Sequence, residues 1–272
     1  MVSTVDMTAT SDHQAAFDHV TAYYYRDPDI VRTTLALRHM LGMLASSPPE
    51  QIGRFAPLVY LFGRIAQESA AAHAAFATEI AGYDGPDRAL AQRIVSARGD
   101  AAFPDALALP IVDPAQLDLL WADFFVTGRR EPVSRIVGTL DGDDRVRKHL
   151  ERRLSERTLF GGGRRRAYAE ALRVLGLDLD VAARAIRTEG DLDCLCWAIA
   201  ERKQPIFAHL ALAPDELTSV AIKASALWSL RLNATAHPIV GDVCRNEAER
   251  PGGPARHLLR EPPATTGRPF AL

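Results

Sequence analysis

A chain of 272 residues with a hydrophobic fraction of 47% and a charged fraction of 24% can bury a core without disulfides or a metal, which excludes disorder over most of its length. Lys+Arg 32 against Asp+Glu 34 gives a formal net charge of −2, so no global field draws the molecule to nucleic acid or anionic lipid. The odd set Cys194, Cys196 and Cys244 fits a reducing compartment and excludes a disulfide framework.

The basic residues are nearly all arginine, with Lys148, Lys203 and Lys223 the only lysines, and alanine is abundant; this composition reads as a GC-rich bacterial genome. The first residues carry Asp6 and Asp12 and lack a basic start and an apolar stretch, unlike a signal peptide. The strongest apolar run, 55–62, is far shorter than the ~20 residues that span a bilayer. A cytoplasmic protein without membrane contact is expected.

In chain order, 1–10 reads as a flexible N-terminus and 11–99 as an N-terminal helical half. The run Tyr23-Tyr24-Tyr25-Arg26-Asp27-Pro28 stands at the entry to a helix, whose apolar residues Ile30, Val31, Leu37, Leu41 and Leu44 follow Pro28. Further helices are predicted over 54–80, as one helix or as two with a bend, and over 86–97. The stretch 100–113 holds Pro104 and Pro110 with no clean period and reads as a linker.

From Pro114, Leu117, Leu120, Trp121, Phe124 and Phe125 recur at helical spacing, placing them on one face. Gly128 is positioned to end that helix, and Pro132 can sit in the first turn of the next, striped by Val133, Ile136, Val137 and Leu140. Helices follow over 144–159, 164–175, 181–188 and 192–202, and after Pro214, where Leu217, Val220, Ala221, Ala224 and Trp228 recur. The C-terminal helical half is thus 114–248, and 249–272, rich in Pro, Gly, Arg and Thr, reads as a flexible tail. Helices this short must bury their stripes against neighbours. The predicted fold is all-α, antiparallel helical hairpins stacked as a short solenoid or an irregular bundle, with no fixed repeat period.

Two strings, Leu117-Asp118-Leu119-Leu120-Trp121-Ala122-Asp123-Phe124-Phe125 with Thr127-Gly128, and Leu227-Trp228-Ser229-Leu230 with Asn233-Ala234 and His237-Pro238, resemble helices of uncharacterised bacterial all-helical proteins. The hairpin grammar is similar to that of tetratricopeptide and HEAT repeat proteins, although the Trp, Gly and Tyr spacing of the former is absent. The resemblance implies a scaffold and carries over no catalytic residue.

Candidate chemistry is sparse. Arg152, Arg153, Arg157, Arg164, Arg165 and Arg166, within a basic segment over 145–166, are candidates for an anion, nucleic acid or acidic partner; the plainer alternative is a solvated face paired with Glu151 and Glu156. Gly161-Gly162-Gly163 within that segment has no strand before it and no Gly-Lys-Ser/Thr after it, so it is neither a P-loop nor a dinucleotide fingerprint. Cys194 and Cys196 point to opposite sides of a helix. The histidines form no metal-binding pattern, and no cofactor or metal site is expected. Tyr23, Tyr24 and Tyr25 cannot all face one core, so one ring is a candidate for contact with a partner. No catalytic motif is present. These features point first to a scaffold or adaptor for another protein, with anion or nucleic-acid binding through 145–166 as the alternative, and a helical enzyme with an active site assembled from distant residues as a third.

Overall fold

A computed structural model describes residues 4–83, 85, 88–100, 103–140, 222, 225, 226, 229, 230 and 232–251, with the helical backbone alone for 4–10. The predicted helices over 144–202, the arginine candidates, the glycine triplet, Cys194, Cys196 and Trp228 lie outside these residues. The described residues are mostly helical and contain no strand, so the fold is all-α as predicted. No helix among them is long and apolar enough to cross a membrane.

The helices whose ends lie among the described residues are α1 (Thr4–Tyr23), α2 (Ile30–Ser46), α3 (Ala56–Glu68), α4 (Ala70–Ala81), α5 (Arg88–Ser96), α6 (Ala115–Thr127), α7 (Arg130–Gly138) and α8 (Pro238–Glu249), with 3-10 helices at Tyr24–Arg26 and Pro49–Phe55. The chain divides into two compact units. Of the described residues, the first takes those up to Leu109 with Asp118–Val133, and the second takes Pro110–Leu117, 134–140 and those from 222 onward.

Proline and short polar side chains set the boundaries in the first unit. Pro28 precedes α2, whose N-cap Asp29 accepts the Arg32 amide at 2.6 Å, satisfying a donor that the first turn leaves without a helical partner. α2 buries Thr33, Ala36, Leu37, Met40, Leu41 and Leu44, an unbroken stripe at steps of three and four. Val31 falls off that stripe, on the face of Thr34, Leu35 and Arg38, none of which is buried. The apolar pair after Pro28 therefore stays at the surface. The segment 54–80 proves to be two helices. Ser69 leaves the helical region (φ −125°, ψ 112°) and its hydroxyl accepts the Ala72 amide, so one residue both ends α3 and caps α4.

α2 packs on α4, and α3 on α4 and α5. Phe62 and Phe76 meet edge to face at 5.7 Å, an arrangement favoured by the ring quadrupoles. Arg38 forks onto both oxygens of Glu79 at 2.7 and 2.6 Å, bridging α2 and α4. Tyr60 stacks on Phe103 and its hydroxyl accepts the Ala106 amide at 3.2 Å; a Cβ on Gly63 would stand 2.7 Å from the Phe103 ring, so that contact requires glycine.

The predicted face of α6 is fully buried: Leu120, Trp121, Phe124 and Phe125 are all inaccessible, and Leu117 nearly so. Ala122, Asp123 and Val126 are buried as well, so α6 is enclosed on more sides than its stripe foretold. Each such large apolar side chain contributes about 1.5–3 kcal/mol. Gly128 ends the helix at φ +64°, with its amide on the Phe124 carbonyl at 2.8 Å. α7 buries Val133, Ile136 and Val137, and Leu140, two residues past its end, is buried as well, which completes the stripe predicted after Pro132.

In the second unit, helical residues up to 236 run to His237, which leaves the helical region (φ −123°, ψ 106°) and is followed by Pro238 at the start of α8. Here the proline takes the first helical position, where its missing N–H costs nothing, whereas Pro28 stands one residue before the N-cap of α2.

Candidate binding cleft

α1 and α2 pack against each other, and their facing surfaces leave an open cleft of about 510 Å³. α1 supplies Asp12, Ala15, Ala16 and His19 to its lining; the N-terminal end of α2 supplies Asp29, Val31, Arg32 and Leu35. The exposed large hydrophobic side chains among the described residues are Ile30, Val31 and Val112. Val31, 70% exposed, stands in the wall of this cleft, and Ile30 is beside it in sequence.

The polar wall is built by the turn between the helices. Because Asp29 caps α2, Arg32 lies in the first turn and its side chain returns toward Asp27 and α1. Arg32 Nη1 donates to Asp27 Oδ2 at 2.6 Å and lies 2.9 Å from His19 Nε2. His19 Nε2 is 3.9 Å from the same carboxylate oxygen. The hydrogen bond from Arg32 holds the Asp27 carboxyl below its usual range. Burial, then the Arg32 charge, lowers the His19 pKa, and Asp27 opposes them.

The three tyrosines separate at the 3-10 turn. Tyr24 is buried, and burial raises its hydroxyl pKa. Tyr25 packs on Phe124 with ring centroids 5.2 Å apart. Tyr23 lies 5.8 Å from the His19 ring, and the Arg26 guanidinium covers both the Tyr23 and Tyr25 rings. The run is thus used to seat the turn that carries Asp27.

A second charged cluster lies inside the first unit. Arg64 Nε donates to Asp123 Oδ1 at 2.8 Å, and its terminal nitrogens donate to Gln67 at 2.7 Å and Glu68 at 3.1 Å. Asp123 is 5% exposed; burial raises its pKa although Arg64 pulls it down. Every Arg64 nitrogen has an acceptor, so the cluster ties α3 to α6. In the second unit Ser229, Asn233 and His237 recur every fourth residue and are all buried; neither polar atom of the Asn233 amide has a hydrogen-bond partner among the described residues. Among the described residues no group of His, Cys, Asp and Glu is placed to hold a metal ion.

Sequence reasoning passed over both charged clusters. Asp29 after Pro28 carried the capping signal, but nothing local joins His19 to Arg32 or Arg64 to Asp123. No protein-family model, no curated protein and no solved structure matches the chain.

Proposed function

We propose that the protein is a helical scaffold that holds a segment of another protein in the α1–α2 cleft. The observation that carries this reading is the coincidence of the exposed Val31 side chain with the wall of an open cleft; an apolar side chain left in water beside a concavity favours an apolar occupant. Asp12 and Asp29 line the cleft, while the Arg32 charge is engaged by Asp27. The matching occupant is therefore an aliphatic side chain next to a lysine or arginine.

The same reading places the protein in the cytoplasm of a bacterium. Its arginine-rich, lysine-poor composition and the free Cys244 thiol, which burial pushes up to about 12, support that placement. Anion binding through Arg152, Arg153, Arg157 and Arg164–Arg166 remains the alternative, and the described residues add nothing to it or to an enzymatic role.

The test is binding of the full chain to labelled ten-residue peptides with a Leu-Leu-Lys-Arg centre or a Leu-Leu-Glu-Asp centre, read by fluorescence anisotropy. Preference for the cationic peptide, lost in Val31→Ser, is expected; Val31→Ser should leave stability within about 0.5 kcal/mol, as surface changes do. Equal binding of both peptides, or binding that Val31→Ser leaves intact, would overturn the reading.

A further inference from the structure

We infer that a proton on His19 controls the cleft: the neutral imidazole accepts from Arg32 and keeps the guanidinium on Asp27, whereas the protonated ring takes Asp27 and releases Arg32 into the cleft. The switch itself stands on the geometry of three side chains. Its effect on occupancy rests on the binding reading above.

A guanidinium can only donate, and it stays charged at every accessible pH. With Arg32 Nη1 at 2.9 Å, His19 Nε2 must be the acceptor, which places the ring proton on Nδ1. Adding a proton at Nε2 sets one N–H donor against another and one cation against another at contact distance. The arrangement cannot survive that addition unchanged. Asp27 Oδ2, 3.9 Å from Nε2, is the anion within reach, and it is the oxygen that Arg32 holds at 2.6 Å. Both cations face the same oxygen of Asp27.

The surroundings favour expulsion of Arg32. It lies in the first turn of α2, where the helix dipole disfavours a cation. Asp29 is occupied as the N-cap through Oδ1. Among the described residues, Asp12 lines the same cleft from the helix that carries His19, and Arg26 of the 3-10 turn lies over Tyr23 and Tyr25. Burial and the Arg32 charge hold the His19 pKa below the ordinary 6.5, so the ring is neutral at pH 7 and the change falls on the acid side of 6.5. One proton is taken up, Arg32 enters the cleft, and a cationic segment meets a cation where it had met carboxylates.

Nitrogen NMR on the full chain between pH 8 and pH 5 tests this. Expected are the Nδ1–H tautomer of His19 at pH 8, a titration midpoint below 6.5, and an Arg32 side-chain resonance that moves with the same midpoint. His19→Gln, which accepts from Arg32 without titrating, should abolish the Arg32 movement, and Asp27→Asn should lower the His19 midpoint further. An Nε2–H tautomer at pH 8, an Arg32 movement that persists in His19→Gln, or a midpoint indifferent to Asp27→Asn would each overturn the switch. The Leu-Leu-Lys-Arg peptide should bind about fivefold more weakly at pH 5.5 than at pH 7.5, the upper range for one exposed charge pair, and equally at both in His19→Gln. A wild-type chain that binds it equally at both pH values overturns the control of occupancy. A peptide that binds at neither pH overturns the binding reading, and the nitrogen titration then decides the switch alone.

Discussion

Arg64–Asp123 and Arg32–Asp27 are the same two kinds of side chain at 2.8 and 2.6 Å, and burial gives them opposite characters. Asp27 is 61% exposed; water still solvates it, the arginine adds a favourable charge, and its pKa falls. Asp123 is enclosed between α3 and α6, the loss of hydration outweighs the arginine, and its pKa rises. Distance alone therefore says little about what an ion pair does. The exposed pair can exchange partners at small cost and suits a switch. The enclosed pair is costly to break and fixes where two helices meet.

Substitution tests the contrast, and the interior responds most. Trp121→Ala, two residues before Asp123, should destabilise by about 3–5 kcal/mol, as truncation of a buried aromatic does, measured by urea denaturation. A loss below one kcal/mol, on the order of a surface change, would place Trp121 outside the core. Arg64→Met should cost about 3 kcal/mol by stranding a buried carboxylate, and Arg64→Met with Asp123→Leu should recover much of it; no recovery would mean that packing of the arginine stem matters more than its charge.

Gly128→Ala should cost about 1–3 kcal/mol, since it combines a left-handed backbone with a Cβ 2.6 Å from Tyr25 Cδ2, and a lower melting temperature would report it. Arg32→Gln, at the exposed pair, should move stability by less than about 1 kcal/mol. A cost as large as that of Arg64→Met would erase the difference between the two pairs.

Acidity supplies the smallest effects, and the signs differ. The His19 and His39 pKa values are both lowered, chiefly by burial, so the unfolded chain takes up protons first, and stability falls as pH drops through 6.5 toward the lowered values. The raised Asp123 pKa acts in reverse: the native state keeps that proton longer, and stability falls as pH climbs just above 3.8. Asp123→Asn should remove the second trend and leave the first, as read from urea midpoints between pH 3.5 and 7.

The α6 stripe was legible because Leu117, Leu120, Trp121, Phe124 and Phe125 repeat at helical spacing within nine residues, and Gly128 announced its end. Pro28 and Pro132 likewise stood at helix entries. Asp123 was not legible: a carboxylate beside an apolar stripe reads as solvent-facing, and its partner lies 59 residues away, beyond any local rule. His19 and Arg32 are separated by 13 positions, with Asp27 between them, across a turn whose path periodicity does not specify. The tyrosine run announced that its three rings must diverge, while the 3-10 turn decided that Tyr24 goes inward and Tyr25 reaches α6. Val31 was read with the apolar residues after Pro28, and only the direction of the buried stripe shows it facing outward.

The contact between Gly128 and Tyr25 also constrains how this sequence can drift over generations. Position 128 needs a residue that accepts a positive φ, which leaves glycine and, at some cost, asparagine. Asparagine brings the Cβ that the Tyr25 ring excludes, so a lineage can reach it only after residue 25 has become smaller. Two sites about a hundred positions apart are thereby tied in an order of change, and a family tree of this chain should show a reduced residue 25 on every branch where glycine 128 is lost.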